Sequence, residues 1–308
     1  MAEAQLSLSF TEAGRLEPHL PRHQPRHQQS APIVASLDHE SPSLPSPLPF
    51  VTLTFATSLD SALSLGPGIR TSLSGPQSKA MTHYLRSRHD AICVGVGTAV
   101  ADDPGLNCRL AESGSPQITS DDRLGSHGSW QGVTAQQPRP IVIDPRLRWD
   151  FTPDSKVIRL AREGQGLAPY IITASEPPAH KRRVLEDVGG KCIVLPPASS
   201  LEIEDEIELE ASSRFNWRAI LNAVRQEGLR SIMIEGGGQV INSLLSKGNA
   251  EIVDSVIVTI APTWLGKGGV VISPPRELDG QDRPVARLVD TVWIPLGEDV
   301  VLCGRIQR

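Results

Sequence analysis

Apolar positions recur in two rhythms along this 308-residue chain. Short runs rich in β-branched and aliphatic residues read as strands: FVTLTFA (50–56), AICVGVG (91–97), PIVID (140–144), YIIT (170–173), KCIVLP (191–196) and SIMIE (231–235). Segments of helical period lie between them. From about Gln77 to Arg88, Met81, Tyr84 and Leu85 share one face, and Arg86 and Arg88 sit near the end, where the helix dipole favours cations. From about Asn216 to Glu227, the apolar face is Trp217, Ile220, Leu221 and Val224. A further helix, QVINSLLSKG, follows SIMIE through three glycines. Two long β stretches, EIVDSVIVTIAP and VARLVDTVWIPLGEDVVLCGRI, end the sequence, the second folding back at Leu-Gly-Glu-Asp. Strands alternating with helices predict an α/β fold. Its central sheet is mostly parallel and covered on both faces, with an antiparallel C-terminal edge.

Three segments break the pattern. Residues 1–47 are rich in Pro, His, Ser and Gln and lack periodicity, so they read as a disordered tail before a domain at 48–308. His19, His23 and His27 belong to this tail; nothing holds them together, so no metal is expected. Residues of about 111–138 and 197–213 read as exposed loop insertions.

A net charge of −5 with no dominant basic run argues against nucleic acid or an anionic membrane as partner. No apolar stretch is long enough to span a bilayer, and the N-terminus lacks the pattern of a secretory signal. Cys93, Cys108, Cys192 and Cys303 are scattered. They read as small hydrophobes in a reducing compartment, the cytoplasm, rather than as zinc ligands or disulfides.

Candidate chemistry lies in three strand exits. In EGGGQVINSLL (235–245) a strand runs through glycines into a helix, the arrangement in which free N–H groups hold a phosphate. Glu235 would repel that phosphate and is expected to point to a polar substrate instead. GVGTAVADDPGLNCR (95–109) begins like a dinucleotide fingerprint but has Val100 where a third glycine would stand. Thr98 and Asp102 are spaced to flank one turn of chain, Asp103 and Pro104 shape a bend, and Arg109 suits an anionic group or a surface ion pair. In TLTFATSLDSALS (52–64), small residues from Ala56 precede Asp60. The signatures of P-loops, nucleophile elbows, zinc proteases and zinc deaminases are absent.

Taken in order, PFVTLTFATSLDSALSLGPGIRTSLSG, LRSRHDAICVGVGTAVADDPGLNCR and IMIEGGGQVINSLL closely resemble the riboflavin-pathway pyrimidine reductases, and the fungal stand-alone branch in particular. The resemblance runs from about Pro49 to the C-terminus. It implies a dihydrofolate reductase-like fold, a homodimer, NADPH as cofactor and a pyrimidine ribosylamine phosphate as substrate. It further implies cofactor contacts at Ala56, Thr98, Asp102, Gly236, Gly237, Gly238, Gln239 and Val240, and substrate contacts at Arg86, Leu106, Arg109 and Glu235. The reaction is hydride transfer to C1′ of the ring-opened imine, with Glu235 and Asp60 as the two candidates to stabilise the cation. Where many relatives have a serine and a tryptophan, Arg70 and Ser72 stand, and those roles are not carried over. Ser61 stands where bacterial relatives usually have glycine. The run His180-Lys181-Arg182-Arg183 is either a clamp for the cofactor's 2′-phosphate or the solvated face of a helix. A dihydrofolate reductase-type enzyme and a non-catalytic nucleotide-binding protein are the competing readings.

Overall fold

The computed structural model describes residues 6, 8–22, 47–110, 136–196, 216–276 and 284–307. Parallel strands need long crossovers, and the helices between them supply these. The N-terminal helix α1 (Phe10–Leu16) is followed by β1 (Phe50–Thr57), β2 (Ala62–Ser64), α2 (Pro76–Arg88), β3 (Ala91–Gly95) and α3 (Val96–Asp102). Next come β4 (Arg139–Ile143), α4 (Lys156–Arg162), β5 (Tyr170–Thr173), α5 (Ala179–Glu186) and β6 (Lys191–Val194). The chain continues with α6 (Trp217–Gln226), β7 (Ser231–Ile234), α7 (Gly238–Leu245), β8 (Ser255–Ile260), β9 (Val270–Val271), β10 (Leu288–Leu296) and β11 (Asp299–Ile306). Nine strands form one sheet in the order β10-β11-β8-β1-β7-β3-β4-β5-β6, and β2 pairs with β9 apart from it. From β8 to β6 every pairing is parallel; β11 runs antiparallel to β8 and β10 antiparallel to β11. This is the expected α/β arrangement, a mostly parallel sheet with its antiparallel edge at the C-terminus.

Strand alternation divides the core into two faces. Val51 and Leu53 of β1, Ile232 and Ile234 of β7 and Cys93 of β3 pack with Trp217, Leu221, Val224, Ile241 and Leu244 of α6 and α7. Their neighbours in sequence point the other way. Ile92 and Val94 meet Ile158 and Leu185 from α4 and α5. Met233 and Ile257 meet Met81 and Leu85 of α2. Thr52, on that second face, is buried against His89 through a 2.8 Å hydrogen bond. Among the described residues no helix is long and apolar enough to cross a membrane.

Two parts depart from the sequence reading. AICVGVG ends as a strand at Gly95, and Val96 to Asp102 coil into α3, so the expected turn is a helix. Residues 10–19, placed above in a disordered tail, form α1 and a 3₁₀ turn. Ser9 and Glu12 make a capping box there, and Ala13, Leu16 and Leu20 are buried. Those three side chains find an apolar sheet face already present, and that burial offsets the ordering entropy which the composition alone left uncovered. The remainder of that tail, with His23 and His27, lies outside the described residues, as do nearly all of both insertions.

Buried histidines give the fold a pH dependence, His83 and His89 foremost. Burial, with the charges of Arg86 and Arg109, pushes His83 down to about 3. Burial likewise pushes His89 down to about 4. Both are neutral in the native chain, whereas the unfolded chain takes up protons near 6.5. Native stability is therefore whole above about pH 6.5 and falls as the pH drops towards 4. Urea midpoints measured at pH 7.5, 6 and 5 are expected to decrease in that order.

Candidate active site

In a parallel sheet the carboxyl ends of the strands share one edge, and ligands bind in the crevice outside it. A cleft of about 990 Å³ opens there, past the ends of β1, β7, β3 and β4. Ala56 and Thr259 form part of its floor, Thr98 and Asp102 one wall, and Glu235 with the loop Gly236 to Val240 another.

The glycine loop is tight for steric reasons. At Gly238 a Cβ would stand 2.6 Å from Val270 Cγ1, and at Gly237 it would stand 3.5 Å from Thr98 Oγ1. A side chain at Gly238 would run into β9, whereas one at Gly237 would stand at ordinary contact distance in the space between α7 and α3. Gly237 serves as N-cap of α7 without a side-chain acceptor, which leaves the N–H groups of the first turn directed at the cleft mouth. Thr98 and Asp102 are one helical turn apart on α3 and share its cleft-facing side. Asp102 Oδ1 is buried and has no hydrogen-bond partner among the described residues. Asp103 has the different role of ending α3 in the left-handed region at φ 40° and accepting the Lys156 N–H at the start of α4.

Glu235 is held by one arginine. Arg86 Nε donates to Oε1 at 3.0 Å and Nη2 to Oε2 at 2.9 Å, while Nη1 donates to the Asn107 carbonyl at 3.1 Å. The two side chains are 13% and 21% exposed, so the pair is shielded but reachable. Arg86 comes from α2 and lies behind Glu235 rather than on the cleft wall.

The other substrate candidates are placed differently. Leu106 is 2% exposed and packs with Val94, Val96 and Ala99; it is a core residue at φ 53° and does not reach the cleft. Arg109 lies two residues past Asn107 and is exposed, and its backbone N–H donates to His83 Nδ1 at 3.0 Å. Asp60 is outside the lining. Its carboxylate accepts from Ser58 Oγ, from Leu265 N at 3.1 Å and from Gly266 N at 2.7 Å. The Ser58 bond, followed by the two backbone bonds, lowers Asp60 to about 2. An acid committed to three donors fixes the loop at 265–266. Ser61, next to it, occupies the left-handed region at φ 61°, a conformation that favours glycine.

The basic run on α5 also lies away from the cleft. Lys181 donates to Asp150 and to the Phe151 carbonyl, and Arg182 is 3.8 Å from Glu176. Two arginines that the sequence reading passed over line the cleft instead: Arg146 and Arg148, just past β4. The buried Asp144 carboxylate accepts the N–H groups of Arg148 and Trp149, at 2.9 and 2.8 Å, and Leu147 turns at φ 52°. That turn was legible as IDPRLRW, a strand followed by Asp-Pro. Arg70, Ser72 and Lys79 form a further polar part of the wall, with Lys79 Nζ donating to Ser72 Oγ at 3.2 Å.

A family model described as the RibD C-terminal domain matches residues 49–302. A protein of Candida glabrata named 2,5-diamino-6-ribosylamino-4(3H)-pyrimidinone 5′-phosphate reductase is 36% identical over 262 residues, 84% of this chain and 90% of that one. Its namesake in Debaryomyces hansenii is 38% identical over 261 residues, with the same coverage. Among solved structures, the riboflavin biosynthesis reductase Rib7 of Saccharomyces cerevisiae aligns with a TM-score of 0.60 at 34% identity, over 84% of this chain and 90% of that one. RibD of Acinetobacter baumannii, at 20% identity and a TM-score of 0.59, shares the fold.

The Arg86–Glu235 pair makes a direct prediction. Arg86→Ala leaves a shielded carboxylate unpaired and should destabilise the fold by about 2–4 kcal/mol. Arg86→Lys keeps the charge but loses the two-pronged contact and should cost about 1 kcal/mol. Urea denaturation of the two variants beside wild type measures both.

Proposed function

Since the chain belongs to the RibD C-terminal domain family, we propose that it reduces the ribosylamino group of 2,5-diamino-6-ribosylamino-4(3H)-pyrimidinone 5′-phosphate to a ribitylamino group, with NADPH as reductant. The observation that carries this reading is the juxtaposition of Glu235, fixed by Arg86, with a glycine cradle at one end of a single cleft.

The cofactor fits the residues present. The cradle at Gly237 and Gly238 and the first turn of α7 suit a pyrophosphate, and Thr98 and Asp102 line the cleft opposite them. Ala56, at the end of β1, leaves the floor open for a flat ring. NADPH supplies the hydride when bound. The residues do the rest: they set the position of C1′, exclude water and hold charge. Glu235 is the carboxylate that faces the imine cation formed when the ribose ring opens, and Arg86 prevents it from turning away. Arg109, exposed and outside the cleft lining, keeps its phosphate role only as the resemblance implies it. Asp60, bound to three donors, is left out of the chemistry.

Preference for NADPH over NADH is assigned to Arg146 and Arg148. β4 is two strands from β7, so its end lies about 10 Å from the glycine cradle. That spacing suits a 2′-phosphate whose pyrophosphate rests at Gly237. The same reading includes a homodimer, supported by exposed apolar side chains such as Leu65, Trp264 and Trp293, and a cytoplasmic location, supported by four free cysteines.

Loss of absorbance at the nicotinamide band, with NADPH and the ribosylamine substrate, tests the reading. Wild type should turn over, and Glu235→Gln should lose about 100-fold or more in kcat/KM. Tight NADPH binding without turnover would favour a non-catalytic nucleotide-binding protein, and turnover of dihydrofolate would favour the other competing enzyme. Arg146→Ala with Arg148→Ala should raise KM for NADPH about 10-fold or more and leave NADH within about two-fold. Calorimetric binding of 2′,5′-ADP should weaken in parallel, while that of 5′-AMP should not.

A further inference from the structure

The N-terminal segment lies outside the family-matched residues 49–302, yet it is built into the support of the site. Its contacts fall on α2. Glu17, in the 3₁₀ turn after α1, accepts from Arg88 Nε at 3.0 Å and from Arg88 Nη2 at 2.7 Å. The Tyr84 hydroxyl donates to the same carboxylate. Burial and Glu17 push that hydroxyl far above its ordinary value, so it remains a donor. Leu16 and Leu20 pack against Met81 and Leu85 of α2 and against Ile294 and Leu296 of β10. Arg15 Nη2 donates to the Trp293 carbonyl at 2.8 Å, which fixes α1 to the sheet edge. Farther upstream, Leu6 forms an isolated parallel bridge with Leu110, the residue after Arg109.

The opposite side of α2 carries the groups of the site. Arg86 grips Glu235 and the Asn107 carbonyl, and His83 receives the Arg109 N–H. One helix is thus held by Tyr84 and Arg88 on one side and works through His83 and Arg86 on the other. Residues at this spacing are interleaved around the axis, so rotating α2 to suit one set moves the other.

We propose that Glu17 is a positioning residue for the reductase site: through Arg88 and Tyr84 it sets the rotation of α2, and with it the placing of Arg86 on Glu235 and of His83 on the Arg109 segment. Its effect is confined to the substrate half. Thr98 and Asp102 stand on α3, after β3, and the glycine cradle opens α7, whereas the bonds of Glu17 go to α2. The inference rests on the proposed reduction for its kinetic arm and on the fold alone for its structural arm.

The test uses the full chain. Glu17→Gln keeps the shape of the side chain and removes its charge. KM for the ribosylamine phosphate should rise about 10-fold, and kcat should change less than about two-fold. The Kd for NADPH, measured by fluorescence without substrate, should be unchanged. Arg88→Gln should reproduce this, and the double variant should be no worse than either single one. Leu185→Ala, on the buried face of α5, serves as a control that lowers stability without touching α1; its KM should remain that of wild type. Hydrogen exchange of the 82–88 amides should accelerate in Glu17→Gln and not in Leu185→Ala. An unchanged KM in Glu17→Gln, or an equal rise in Leu185→Ala, overturns the proposal, as does weakened NADPH binding in step with KM. If wild type fails to reduce this substrate, the functional reading falls and hydrogen exchange alone decides: unaltered exchange at 82–88 then overturns the inference.

Discussion

Glu235 ends a buried parallel strand and begins a loop that requires glycine, so its carboxylate stands where backbone and ligand compete for space. Left alone, it would face the same N–H groups that suit a phosphate, and it would carry a desolvation cost with no partner. Arg86 resolves both problems with one planar group, because two parallel N–H bonds fix the direction of the carboxylate as well as its charge. The third bond, to the Asn107 carbonyl, ties in the segment that leads to Arg109. Strand β7, helix α2 and the 107–109 segment therefore meet at one guanidinium. Such a pair gains little net stability over an apolar contact of similar size, and its worth lies in the geometry it imposes on the groups around it.

Sequence made the local parts of this arrangement readable. A strand, three glycines and a helix are consecutive, so the phosphate cradle and Glu235 could be named from residues 231–245. The sheet was readable too, since parallel strands buried on both faces are runs of Val and Ile that composition alone marks out. What failed depended on distance along the chain. Asp60 looked like a free acid because two of its three donors, Leu265 and Gly266, lie 205 and 206 residues away. Leu106 was matched to a substrate role, yet the left-handed turn there sends its side chain into the core. Arg146 and Arg148 gain meaning from the neighbouring of β4 and β3, which is a fact of topology. The basic run on α5 stood out in sequence, yet it lies away from the cleft, with Lys181 on Asp150 and the Phe151 carbonyl and Arg182 near Glu176.

The tail expectation failed for a related reason. A seven-residue helix with three buried side chains is too short to register as periodic among prolines and histidines, although Ser9 and Glu12 carry the capping-box spacing. Its stability is borrowed from the sheet, and a window along the sequence cannot see the surface on which it rests.

That borrowing works in both directions. Leu16 and Leu20 cover Met81, Leu85, Ile294 and Leu296, all of them within the stretch shared with relatives. A chain begun at Pro49 would keep every residue that the family model recognises and still present those side chains to water. It would therefore be prone to self-association for a reason unrelated to its chemistry. In this protein the unit that the family model matches and the unit that buries these side chains have different boundaries, and α1 lies in the difference.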